Sequence, residues 1–234
     1  MALHALIPAA GVGARVAAGT QGAPAKQYLA LAGHCMLWHA IRCLSHPAIE
    51  TVFVVLSPED VVFSQYDWRA FAGRLEPLYC GGATRRDSVY NGLVAAMAGI
   101  QADDWILVHD AARPCLPAQS LQTLIDTCVQ DPVGGLLALP CADTVKRIAP
   151  ENAQGVRSLH TESRASLWLA QTPQMFRAGL LAQALRLANA EVTDEASAIE
   201  QMGLQPRLVQ GSRRNLKVTY PEDVAMANAL LEMQ

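Results

Sequence analysis

The stretch Ala5-Leu6-Ile7-Pro8-Ala9-Ala10-Gly11-Val12-Gly13-Ala14-Arg15 decides the reading of the fold. A short apolar run is a buried strand in the making, and it empties directly into a loop of small residues closed by a cation. Small side chains let backbone N–H groups come close to a phosphate or a base edge, and the arginine balances an anion. The same pattern also serves as a plain tight connection after a strand. Two familiar phosphate loops are excluded by spacing. A dinucleotide fingerprint needs a third glycine where Val16 stands, and a P-loop needs Gly-Lys-Ser or Gly-Lys-Thr, whereas Lys26 lies between Ala25 and Gln27.

Working outward, short runs rich in β-branched residues alternate with segments of helical period, the pattern of βαβ units and a mostly parallel, Rossmann-like α/β sheet flanked by helices. The expected strands are 5–8, 51–56, 105–109, 135–139, 167–171 and 207–209. The expected helices are 36–45, 84–100, 120–129, 179–189, 194–201 and 221–231. Thr84 followed by Asp87 reads as a capping box and marks the start of the second helix. From Cys141 to Ser166 the chain turns polar and charged, with no helical period. A long segment of this kind in a compact domain is functional or disordered.

The 234 residues, 51% of them apolar, suffice for one sizeable core and are read as a single domain, 1–234. A formal charge of −3 gives no general attraction for nucleic acid or an anionic membrane. No apolar run reaches the ~18 residues of a membrane span, and Pro8 with Gly11 and Gly13 interrupts the first one before a signal-peptide core forms. The six cysteines are scattered without zinc spacing, as expected of reduced thiols in a cytoplasmic protein.

A second constellation lies where Ile106-Leu107-Val108-His109 runs into Asp110-Ala111-Ala112-Arg113-Pro114. An acid at the carboxyl end of a strand faces the crevice where open α/β sheets bind ligands, and a carboxylate beside phosphate oxygens suits Mg²⁺. An aspartate capping a turn is the competing reading, and His109 reads as structural. Gly81-Gly82-Ala83, near Arg85, Arg86 and Ser88, repeats the small-residue logic, although such arginines also occur as a solvated helix face.

These motifs, with Lys26-Gln27-Tyr28, Asp87-Ser88-Val89, Thr172-Pro173-Gln174, Thr193-Asp194-Glu195-Ala196-Ser197 and Asn215-x-Lys217-Val218-Thr219, resemble in order the 2-C-methyl-D-erythritol 4-phosphate cytidylyltransferases. The resemblance implies cytidylyl transfer from CTP to 2-C-methyl-D-erythritol 4-phosphate, with Mg²⁺ on Asp110. It places Pro8, Ala9, Ala10, Gly11, Gly13, Lys26, Gly82, Ala83, Ser88 and Ala111 on the nucleotide. Arg15 and Lys26 fall on its phosphates, and Asp110, Arg113, Thr144, Arg164, Thr193 and Lys217 on the acceptor. Arg15, Lys26, Arg164 and Lys217 are then the catalytic set. It further implies a homodimer in which 141–166 is a projecting β-arm. Two departures from the family pattern stand out: a longer stretch between Arg15 and Lys26, with Ala25 where proline is frequent, and Ala83 where an acid is common. Ribitol-5-phosphate cytidylyltransferases share the nucleotide half of this pattern. A non-catalytic nucleotide-binding module is disfavoured, because it needs neither a metal ligand nor acceptor-side cations.

Overall fold

The computed structural model describes residues 1–11, 25–149, 155–189 and 191–233. Seven strands form the central sheet: β1 (Leu3–Pro8), β4 (Ile49–Val55), β5 (Leu75–Leu78), β6 (Trp105–Val108), β7 (Gly135–Pro140), β10 (Trp168–Arg177) and β11 (Arg207–Gln210). Their order is β11-β7-β10-β6-β1-β4-β5. All neighbours run parallel except β10, which is antiparallel to both β6 and β7. Two small pairs stand apart, β2 (Ala30–Leu31) with β3 (His34–Cys35), and β8 (Val145–Ile148) with β9 (Ser158–Glu162).

Side-chain alternation along the strands feeds two cores. Leu3, Ala5 and Ile7 of β1, Val52 and Val54 of β4, and Trp105 and Leu107 of β6 pack on one face against α1 (Met36–Cys43) and α3 (Ala118–Cys128). Leu6, Phe53, Val55, Ile106 and Val108 point the other way. They meet α2 (Arg85–Ala96), α4 (Ala178–Leu187) and α5 (Glu195–Gln201). A smaller cluster seats α6 (Pro221–Glu232) on Leu31, Met36, Cys115 and Val218. Strands buried on both faces explain why the sequence reads as continuous apolar runs rather than alternation.

Each expected helix is present, and Thr84 and Asp87 form the reciprocal capping box. Besides the short β2–β3 pair, which is not among the expected strands, the strands differ in three places. The edge strand β5, Leu75-Glu76-Pro77-Leu78, is masked in the sequence by its proline, which is tolerated there because only one side is paired. The expectation for β10 stops at Gln171, but the strand continues through Thr172-Pro173 to Arg177, with a register shift between Ala170 and Gln174 that takes up the proline. Within 141–166, β8 and β9 form an antiparallel hairpin with Lys146 opposite Thr161. Its residues are largely exposed, so neither face imposes a readable period.

Candidate active site

The loops that follow the carboxyl ends of β1, β5 and β6 close around a crevice. The first leaves β1 at Pro8. The Ala9 amide donates to the Val55 carbonyl (2.8 Å), while the Ala9 carbonyl accepts from the buried Gln27 side chain (2.7 Å). Gln27 thus ties the turn at Lys26 to the start of the small-residue loop. Tyr28 anchors the same turn from behind, stacking on Tyr66 and donating to Asp60 (2.7 Å).

The second loop, 79–84, crosses the first so closely that a Cβ on Gly81 would lie 2.2 Å from the Ala10 Cβ and 2.8 Å from the Leu56 carbonyl oxygen. Only glycine permits that approach. Ser88 fixes the next residue: its hydroxyl accepts from the Gly82 amide (3.1 Å) and donates to the Thr84 carbonyl (2.9 Å). The resemblance places Ser88 on the nucleotide, and its hydroxyl is here engaged in shaping the loop. Gly81→Ala is expected to push the two loops apart. A displacement near 1 Å costs roughly 100-fold, so kcat/KM for the nucleotide should fall by about that much, and an unchanged value would show that the loop crossing does not shape the site.

The third loop carries Asp110, whose backbone amide donates to the Thr172 hydroxyl (2.9 Å). That hydroxyl also meets His109 Nδ1 (3.1 Å), and His109 Nε2 lies 3.0 Å from the Arg113 carbonyl. Burial lowers the His109 pKa to about 4, so the ring is neutral and structural, in keeping with its reading from sequence. The Asp110 carboxylate is the electrostatic hub. Lys217 reaches its Oδ2 at 2.8 Å, Arg85 its Oδ1 at 3.0 Å, and Arg113 stands 3.8 Å from Oδ2. Burial opposes the charge, but Arg85 first, then Lys217 and Arg113, outweigh it and hold the carboxyl well below the usual carboxylate range.

The crevice has two contiguous lobes. One is lined by Pro8, Ala9, Gly11, Lys26, Asp110, Ala111 and Lys217, among others. The other adds Ala10, Gly82, Ala83 and Ser88. Nearly all the expected nucleotide residues thus converge, with Asp110 and Lys217 at one end. Gly13 and Arg15 lie outside the described residues. Arg113 does not line the crevice. It is 8% exposed and donates to the Asn215 carbonyl (2.6 Å), which makes it a buried brace between the Asp110 loop and the Lys217 loop.

Thr144, Arg164 and Thr193 are exposed and line neither lobe. Arg164 instead hydrogen-bonds the Ala142 carbonyl at the base of the hairpin. Arg85 and Glu195 were given no role from sequence, yet both belong to the site: Arg85 lines both lobes, and Glu195, 1% exposed, grips it. The available signal was the position of Arg85 directly after the Thr84 cap, where a side chain in the first helical turn faces the loop. Arg86, by contrast, is spent on Asp87 and on the carbonyls of Ala188 and Asn189.

Among the described residues, no group of three or more His, Cys, Asp or Glu side chains is placed to hold a metal, and no helix is long and apolar enough to cross a membrane. A single buried carboxylate at the crevice end nonetheless fits Mg²⁺. That ion takes one or two protein carboxylates and draws its other ligands from phosphate and water.

A family model described as IspD, 2-C-methyl-D-erythritol 4-phosphate cytidylyltransferase, matches residues 3–233. Proteins of the same name from Thiobacillus denitrificans and Laribacter hongkongensis are similar to the chain. The first is 51% identical, covering 99% of this chain and 98% of the relative. The second is 56% identical, with 97% and 95% covered. A crystal structure of 4-diphosphocytidyl-2C-methyl-D-erythritol synthase superposes with a TM-score of 0.83 at 39% identity, covering 98% of both chains. The Francisella tularensis 2-C-methyl-D-erythritol 4-phosphate cytidylyltransferase gives 0.79 at 33%, covering 98% of this chain and 100% of that one.

Proposed function

We infer, from the premise that the chain belongs to the 2-C-methyl-D-erythritol 4-phosphate cytidylyltransferase family and transfers a cytidylyl group from CTP to 2-C-methyl-D-erythritol 4-phosphate in isoprenoid synthesis, that the crevice ending at Asp110 is where the transfer occurs. The observation that carries this is the meeting of Lys26, Asp110 and Lys217 along one crevice, with backbone-rich loops on the nucleotide side.

The reaction joins a phosphate oxygen of the acceptor to the α-phosphorus of CTP, and the bond from that phosphorus to the bridging oxygen breaks. The electron pair leaves with pyrophosphate. The attacking oxygen is already ionised at neutral pH, so no side chain has to remove a proton from it. What remains for the protein is alignment and charge neutralisation. The loops at Ala9–Gly11 and Gly82–Ala83 receive the nucleoside and its phosphates. Lys26, with Arg15 by resemblance, meets the charge that grows on the α-phosphate and the leaving group. Asp110 would hold Mg²⁺, which would supply further neutralisation of that charge. Lys217 has a side chain 45% exposed at the crevice end, and it aims the acceptor phosphate. The six cysteines are all free, which suits a reducing, cytoplasmic setting.

The acceptor side takes its remaining residues from a second copy of the chain. Thr144 and Arg164 sit on the β8–β9 arm and away from their own crevice. The arm and its base expose Ile148, Leu159 and Leu169 at 59%, 59% and 56%, and a lone two-stranded hairpin gains little from folding unless it packs on something. A two-fold dimer would bury those side chains and bring each Arg164 to the neighbour's acceptor site. Complementation tests it. An Arg164→Ala chain and a Lys26→Ala chain are mixed, allowed to exchange subunits, and assayed. With Arg164 acting across the interface, one site of each mixed dimer carries neither lesion, and activity should return towards half of normal per heterodimer. No recovery despite demonstrated exchange would place Arg164 in its own subunit's site.

A further inference from the structure

The two oxygens of Asp110 are held in different ways. Oδ2 is met by Lys217, a half-exposed side chain on a loop, and by the more distant Arg113. Oδ1 receives Arg85 through Nε at 3.1 Å and Nη2 at 3.0 Å, and Arg85 is not at liberty to move. Its Nη1 and Nη2 donate to the two oxygens of Glu195 at 2.7 and 3.1 Å. Glu195 in turn is fixed by the fold. It is the first residue of α5, whose cap Asp194 accepts from the Ser197 amide, and Gln174 of β10 clamps that turn, accepting from the Ala196 amide (2.7 Å) and donating to Asp194 (2.8 Å).

A continuous run of bonds therefore leads from the central sheet through Gln174, the start of α5, Glu195 and Arg85 to one oxygen of Asp110. A buried ion pair of this kind adds little to stability compared with apolar packing. Its physical effects here are orientation and charge. The fork holds the carboxylate plane with Oδ1 committed and Oδ2 turned to the exchangeable side. Three cations, Arg85, Lys217 and Arg113, face the carboxylate of Asp110, and Glu195 offsets the charge of Arg85, so the cluster is one charge less positive than it would be without Glu195.

We propose that Glu195 is a positioning residue which, through Arg85, orients Asp110 and offsets the Arg85 charge beside the metal–nucleotide complex. The inference rests on the reading of Asp110 as the metal ligand. The decisive experiment is calorimetric titration of the full chain with Mg²⁺ in the presence of CTP and without acceptor, comparing wild type, Glu195→Gln, Arg85→Lys and Asp110→Asn. Partners that orient a metal's ligand typically change affinity by roughly 10- to 100-fold, so Glu195→Gln should raise the Mg²⁺ needed for half-maximal CTP binding by that factor, while KM for the acceptor at saturating metal stays close to wild type. Glu195→Asp, which restores the charge, should recover part of the loss. Should Glu195→Gln fail to fold, Arg85→Lys carries the same test, since it keeps a cation but loses the fork. Unchanged Mg²⁺ dependence in the folded variants, whatever happens to their melting temperatures, would overturn the inference if Asp110→Asn still shifts it. Unchanged dependence in Asp110→Asn would overturn the reading of Asp110 and the inference with it.

Discussion

Lys26→Ala is expected to lose turnover rather than acceptor affinity. Lys26 lines both lobes of the crevice, on a turn locked by Gln27 and Tyr28, and in the proposed reading it meets the triphosphate charge. A preorganised contact to charge that develops in the transition state is worth about 2.7–4 kcal/mol, so kcat should fall by roughly 100- to 1,000-fold. Steady-state rates of pyrophosphate release under saturating CTP and acceptor decide it. A variant with near-normal kcat and only a raised KM for the acceptor would move Lys26 to the acceptor side and sink its assignment to the phosphates.

Phe176→Ala is expected to have the largest effect on stability. Phe176 is fully buried on β10, opposite Ile106 of β6, among the side chains that α4 and α5 bring to that face. Truncating a buried phenylalanine removes its transfer energy and leaves a cavity, at a cost of about 3–5 kcal/mol. Denaturant unfolding should show a lowered midpoint with an unchanged slope. Because β10 also carries Thr172 and Gln174, which support Asp110 and α5, metal-dependent CTP binding should weaken before the fold is lost. A stability change near zero would show that β10 is not an integral part of the core.

Local physical chemistry made much of this legible in the sequence. β1 and β6 are apolar runs that end in small or acidic residues, and both features follow from strands buried on two faces that end at a ligand crevice. The cap at Thr84 fixes its helix by side-chain bonds within a single turn, which short spacing reveals. What stayed hidden depends on contacts distant in the chain. The antiparallel insertion of β10 between β6 and β7 leaves no trace in periodicity, because a strand buried on both faces reads alike in either direction. Glu195 is 110 residues from Arg85, and nothing near either residue announces the pair. The resemblance places Arg113 on the acceptor, but its guanidinium folds back onto Asn215, a residue far along the chain. Thr144 and Arg164 lie on a hairpin with two wet faces, where no hydrophobic pattern marks the strands.

The central claim is that Asp110 is the hub of the transfer site. It is tested most directly by measuring pyrophosphate release from CTP, Mg²⁺ and 2-C-methyl-D-erythritol 4-phosphate by wild type and by Asp110→Asn, with circular dichroism confirming that both are folded. The account predicts acceptor-dependent release by the wild type, and a loss of at least about 100-fold in the variant, the scale on which electrostatic contacts at a reacting centre act. Turnover of folded Asp110→Asn at the wild-type rate would contradict it.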